Sequence, residues 1–146
     1  MKTLYESLLD NFDELDKNIQ QNAEKSMIDF LIDNYKVDGR PINPDDKRIK
    51  ISDIPNKDGK YVVDVEGGLM IKNHDIYTLT NNIFVFGEVS EYFDCSRCKK
   101  LTSLKGAPEK VGGYFSCRRC IKLKNLDYLP KEIGGSIYVP NHLKNK

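Results

Sequence analysis

The stretch VSEYFDCSRCKKLTSL (Val89–Leu104) recurs as VGGYFSCRRCIKLKNL (Val111–Leu126), with an offset of 22 residues at every matched position. Phe93 pairs with Phe115, Cys95 with Cys117, Cys98 with Cys120, Leu101 with Leu123, Leu104 with Leu126, and Pro108 with Pro130 in the connection that follows. A third copy begins at Ile133-Gly-Gly-Ser-Ile-Tyr-Val139, with Ile137 and Val139 in the Phe and Cys places. Upstream, Gly67-Gly68-Leu69-Met70-Ile71 begins a degenerate first copy, its Leu69 lying 24 residues before Phe93. Self-similarity at this period marks a stacked repeat, and it predicts four strands in register.

Apolar places spaced as L-x-L-x-x-C-x-x-L-x-x-L in a unit of about 20 to 29 residues are the leucine-rich-repeat pattern, which implies one strand and one turn per unit. Alternation then points Phe93, Cys95, Phe115, Cys117, Ile137 and Val139 into the stack. Tyr92, Asp94, Ser96, Tyr114, Ser116, Arg118, Ser136 and Tyr138 fall on the outer sheet face. The Gly-Gly pairs at 67, 112 and 134 are periodic, so they serve the turn before each strand rather than a phosphate. No single unit can bury its apolar side, so the stack needs covers at its ends.

Working outward, Leu4, Leu8, Phe12, Leu15 and Ile19, with Leu9 beside them, form an apolar stripe at helical spacing opposite Glu6, Asp10, Asp13, Glu14 and Asp16. A second helical pattern, with Met27, Ile28, Phe30, Leu31 and Tyr35, starts after Asn22 and should end near Asn34, before Asp38-Gly39 and Pro41. The two helices pair with each other or cap the repeats. Between Lys36 and Lys60 the chain is rich in loop formers, and Arg48–Ile51 with Tyr61–Val65 around Asn56-Lys57-Asp58-Gly59 predict a β-hairpin. The expected architecture is α+β: N-terminal amphipathic helices and a β-hairpin capping a short leucine-rich-repeat-like parallel β-solenoid. The predicted divisions are a helical segment at 1–36, loop and hairpin at 37–66, and a solenoid at 67–146 with units 67–88, 89–110, 111–132 and 133–146.

The segment LTSLKGAPEKVGGYFSC (Leu101–Cys117) resembles leucine-rich-repeat-like proteins of phages and phage-derived bacterial regions, built on copies of L-T-S-L-x-G-x-P-x-x-V-G-G-x-F-x-C. The resemblance covers about half of the chain, from Val65 onward. It implies a β-solenoid, a protein-binding role and no reaction. Many family copies carry Asn near the second Cys place, which suits a bend-lining position and suits a metal ligand badly. Leu4-Tyr-Glu-Ser-Leu-Leu-Asp10 also resembles the opening of some phage proteins.

A chain of 146 residues, 39% hydrophobic and 31% charged, suits one soluble domain with an appendage. No apolar run approaches the roughly 20 residues of a membrane span, and the N-terminus lacks a secretion-signal pattern. A cytoplasmic location is the expectation, in the host cytoplasm if phage-encoded. Net charge is only +1, but Met1–Tyr35 holds eight acidic residues against three basic, and Val89–Lys146 holds twelve basic against five acidic. That division points either to different partners for the two ends or to two ordinary solvated faces. No Ser-His-Asp or Cys-His order, phosphate-binding loop or catalytic carboxylate pair emerges, so an enzyme is not expected.

Cys95-x-x-Cys98 and Cys117-x-x-Cys120 have the spacing of a four-cysteine zinc site. Around them Arg97, Lys99, Lys100, Arg118, Arg119 and Lys122 would suit a nucleic-acid-binding zinc ribbon. The same thiols, however, sit at equivalent places in units whose Phe, Leu, Pro and Gly positions also repeat. A zinc ribbon does not require that wider identity, so buried structural thiols are the preferred expectation, zinc the alternative and disulfides a distant third. Redox chemistry is discounted because no βαβ unit accompanies the Cys-x-x-Cys pairs. His74 and His142 fall at the turn place of Cys98 and Cys120 and are expected to be bend residues.

Tyrosine and arginine are frequent interface anchors. The expected function is therefore a non-enzymatic protein-binding module using Tyr92, Asp94, Arg97, Tyr114, Ser116, Arg118, Arg119 and Tyr138, with no cofactor and a protein partner. The alternative is a nucleic-acid-binding protein, by a zinc ribbon or by a basic sheet that stacks bases.

Overall fold

The computed structural model describes residues 3–144, apart from the side chains of Asp10 and Phe12. It is a β-solenoid of roughly four turns preceded by one helix. That helix, α1 (Leu4–Asn34), runs for 31 residues, where two helices were expected. Nothing between Gln20 and Lys25 is a Pro or Gly, and an Asn inside a helix costs only a fraction of a kcal/mol, so Asn22 does not end it. Thr3 caps its start, accepting from the Glu6 N–H at 3.1 Å, and the chain turns extended at Tyr35 as the Asn34 prediction required. Only the second half of α1 covers the stack: Met27 and Leu31 are fully buried, and Phe30 meets Phe84 edge to face at 5.8 Å. In the predicted stripe Leu4, Leu8, Leu15 and Ile19 are exposed, and the Phe12 side chain lies outside the described residues.

Each coil carries two short strands where one was expected. Coil one holds β4 (Tyr61–Val65) and β5 (Leu69–Ile71), and coil two holds β6 (Phe84–Val89) and β7 (Phe93–Asp94). Coil three holds β8 (Lys110–Val111) and β9 (Phe115–Ser116), and coil four holds β10 (Glu132–Ile133) and β11 (Ile137–Tyr138). Stacking these makes two parallel ladders, β4-β6-β8-β10 and β5-β7-β9-β11, joined at a sharp corner. Phe93 pairs with Phe115 and Phe115 with Ile137, and Leu69 pairs with Phe93, so the predicted register holds from end to end.

The Gly-Gly pairs form the corner between the two strands. A β-carbon on Gly112 would lie 2.0 Å from the Ser90 carbonyl oxygen, and one on Gly134 would lie 2.2 Å from that of Gly112. Glycine is required there because successive corners stack backbone on backbone.

Both ladders are closed at their first edge by antiparallel strands. β1 (Tyr35–Val37) pairs with β5 and folds back on β2 (Arg40–Pro41), while β3 (Ile49–Ile51) pairs with β4 as the predicted hairpin. The β1–β2 turn is Asp38-Gly39, with φ of +52° and +75°, the geometry for which Asp-Gly is favoured in two-residue hairpins. Arg48 locks this end, its guanidinium donating to both Asp46 carboxylate oxygens at 2.7 and 2.8 Å and to the carbonyls of Val37 and Pro41. That pairing holds the Asp46 carboxyl down at about 2. Tyr35 is fully buried between Phe86 and Phe93 and donates its hydroxyl to the Leu79 carbonyl at 2.6 Å, so its polar atom is satisfied. At the far end, Leu143 tucks in from a 3₁₀ turn, Asn141–Leu143, while Ile137 keeps 49% of its surface exposed.

No helix among the described residues is long and apolar enough to cross a membrane.

Candidate binding face and the cysteine core

Along β7 and β9 the side chains alternate as the pleat demands: Phe93, Cys95, Phe115 and Cys117 are buried in the core, and Asp94 and Ser116 turn to the other face, where Ser116, expected as an exposed binding residue, is only 5% exposed. Successive coils therefore lay equivalent outward residues beside one another. Tyr92 stacks on Tyr114 with centroids 5.0 Å apart and planes 9° from parallel, and Tyr138 meets Tyr114 edge-on at 5.8 Å. At the start of this ladder Tyr92 lies against Gly68, where a β-carbon would come within 2.1 Å of the ring.

Beside the tyrosines the polar groups interlock. The Tyr114 hydroxyl donates to Asp94 Oδ2 at 3.2 Å, while Asp94 Oδ1 accepts from the Ser96 N–H at 2.9 Å. The Ser96 and Ser116 hydroxyls share a hydrogen bond at 2.6 Å. Partial burial, with the Asp94 charge and hydrogen bond behind it, pushes the Tyr114 hydroxyl up to about 12. Tyr92 is raised by burial and by Asp38, Asp94 and Glu91 around it. Both phenols stay neutral donors at physiological pH.

Arg97 and Arg119 occupy the same bend in successive coils, with φ of +64° and +62°. That left-handed backbone is uncommon for a side chain of this size and costs about 1 kcal/mol or more. The periodic bend imposes it twice and projects both guanidiniums outward. Arg118 lies over the Tyr138 ring at 4.6 Å. Among the described residues none of the three arginines is paired with a carboxylate.

An open groove of about 580 Å³ runs along this face. Seven of the eight predicted binding residues line it: Asp94, Arg97, Tyr114, Ser116, Arg118, Arg119 and Tyr138. Tyr92 is not in its wall and instead supports Tyr114 from behind. The groove also contains Met70, Ile71 and His74, which the sequence pattern did not point to.

His74 does not occupy the place of Cys98. Two extra residues in the first coil, visible in the 24-residue offset of Leu69 from Phe93 beside the 22-residue offset of Leu79 from Leu101, bulge its bend outward. Ile76 fills the buried place, and the exposed His74 ring sits 3.2 Å from the Ser96 carbonyl through Nδ1. His142 is likewise exposed, its Nε2 2.7 Å from the Leu123 carbonyl, and Leu143 fills the interior instead.

All four cysteines are free thiols with no exposed surface. Cys120 Sγ donates to the Cys95 carbonyl at 3.1 Å, Cys117 Sγ to the Tyr138 carbonyl at 3.6 Å and Cys98 Sγ to the Ser96 carbonyl at 3.9 Å. Burial pushes Cys117 up to about 12. Proximity to the Cys120 sulfur and burial together raise Cys95 and Cys98. Among the described residues no group of three or more His, Cys, Asp and Glu side chains is placed to hold a metal ion. The repeat stacks Cys95 beside Cys117 and Cys98 beside Cys120 as rung neighbours within the core. Access to reagent then controls their chemistry. In the native protein at pH 8 a thiol reagent such as Ellman's should modify none of them within minutes, and all four after unfolding in guanidinium; rapid native labelling would contradict this packing.

No family model, curated protein or solved structure matches the chain.

Proposed function

We propose that the chain is a non-catalytic protein-binding module that grips a partner segment bearing carboxylates along the groove of its outward sheet face. The observation that carries this is the convergence on one groove of a tyrosine ladder and three arginines that pair with no carboxylate among the described residues. Like charges on adjacent rungs repel, and an acidic side chain docked between Arg97 and Arg119 relieves that repulsion through charge-assisted hydrogen bonds. The tyrosines supply rigid apolar area at low entropic cost, with hydroxyls for orientation. On the repeat resemblance alone, we place the protein among phage-encoded repeat proteins acting in the host cytoplasm.

Single-stranded nucleic acid is the rival ligand, and the packing of the tyrosines weighs against it. Tyr92 and Tyr114 spend facing ring surfaces on each other, and the next ring covers Tyr114 from the far side, so these faces are closed to bases.

The test is a screen of immobilised acidic peptides, followed by titration of the best binder against the wild type and a Tyr114→Ala, Arg118→Ala double variant. Affinity should fall at least about tenfold in the variant. Polyuridylate and oligothymidylate should show no saturable binding at physiological salt. Tight polynucleotide binding that collapses as salt rises would replace the protein-binding reading with the nucleic-acid one.

A further inference from the structure

The first half of α1 carries an apolar face that no other described residue covers. Leu4, Tyr5, Leu8, Leu9, Leu15 and Ile19 are 79%, 71%, 48%, 46%, 53% and 57% exposed, whereas α1 begins to touch the solenoid only around Gln20, whose amide donates to the Asp53 carbonyl. These side chains follow a heptad. With Tyr5 at position a, Leu8 and Leu15 fall at d, Phe12 and Ile19 at a, Leu4 at g and Leu9 at e. Every exposed apolar residue of the segment thus belongs to a coiled-coil seam or its flank. The carboxylates keep off it: Glu6 and Asp13 fall at b, Glu14 at c and Asp10 at f, and only Asp16 is at a flanking e place.

We propose that residues 4–19 of α1 pair with the same segment of a second copy as a parallel, in-register two-stranded coiled coil. The charge pattern is self-compatible in that arrangement. Asn11 and Asn18 at g face Asp16 and Ala23 at e of the other copy, so no two like charges oppose each other across the seam. A partner that reads charge finds the carboxylates pointing away from the apolar face. A membrane surface is a poor occupant too, because interfacial helices carry Lys and Arg on the polar face and this one carries acids.

The area is sufficient. At roughly 200 Å² for a fully exposed large side chain, the six residues expose roughly 700 Å² per protomer, and two copies bring together about the 1,200–2,000 Å² of a stable interface. A segment of roughly 24 Å is short for an isolated coiled coil. Here its helix is already nucleated, because Met27 and Leu31 hold the second half of α1 in the core, which lowers the ordering cost of pairing.

Sedimentation equilibrium of the full chain over roughly 1–100 µM should give twice the monomer mass, with Leu8→Glu, Leu15→Glu weakening association at least about 100-fold. These side chains touch no core residue, so circular dichroism and melting of the variant should match those of the dissociated wild type. Leu15→Cys should form a disulfide-linked dimer on mild oxidation, since a d residue faces its own copy in a parallel pair and the native thiols are buried. A wild type that stays monomeric throughout, binding only lipid or a different helical protein, overturns the proposal. So does a dimer that the double glutamate variant retains.

Discussion

Phe115→Ala is expected to destabilise the protein by about 3–5 kcal/mol, the cost of emptying a large aromatic site in a closed core. Phe115 has no exposed surface and stacks on Phe93 at 5.7 Å with planes 12° from parallel, and Ile137 lies beside it on the next rung. Neighbours on both sides are fixed by parallel ladders, so the cavity cannot collapse without shifting a whole coil. In a chain of this size the melting temperature should drop by roughly 10 °C or more. Ile137→Ala is the control: its side chain is half exposed at the open end of the stack and should cost about 1 kcal/mol or less. Equal losses at the two positions in a thermal melt would contradict the stacking order.

Gly112→Ala should cost about 3 kcal/mol through a different cause. The added methyl lands 2.0 Å from the Ser90 carbonyl oxygen, a backbone atom that no rotamer change can move. Relief requires prying coil two from coil three at the corner, where Gly112 and Gly113 donate to the carbonyls of Val89 and Glu91. Overpacking against rigid backbone lies at the upper end of the usual 1–3 kcal/mol range. Gly39→Ala separates this effect from loss of backbone freedom, because Gly39 has φ of +75° but nothing within 4 Å of a β-carbon. It should cost only about 1 kcal/mol, from strain alone. Should chemical denaturation find Gly112→Ala as mild as Gly39→Ala, the close corner packing is wrong.

The outward face is legible in the sequence because alternation leaves no choice once the register is known. Phe93, Phe115 and Ile137 share one place in the 22-residue period, so Tyr92, Tyr114 and Tyr138 with Asp94, Ser96, Ser116 and Arg118 follow by the pleat. What alternation could not supply was the bend of the irregular first coil. Met70 reaches the groove by ordinary alternation, in the Asp94 place of the first coil, whereas His74 reaches it because two extra residues displace the first bend, and no periodic pattern reports what an insertion does in space. The second ladder was missed for a related reason. Tyr61–Val65 matched a hairpin strand, which it is, but it also serves as the first rung beside Phe84–Val89, and a hydrophobic run does not state how many neighbours it has.

The sequence by itself determined the period, the register and the apolar interior of the central coils, because a fixed 22-residue offset leaves only one way for like units to bury like apolar faces. It also marked the Asp38-Gly39 turn and the end of α1 near Asn34 through local backbone preferences that act within a few residues. Only the tertiary structure decided that each coil bends into two strands, that α1 is continuous, and that its first half stands clear of the core. Those outcomes depend on whether a distant surface is present to receive an apolar side. The stripe from Leu4 to Ile19 has the spacing of a packed helix, and what it packs against is settled by the space around it.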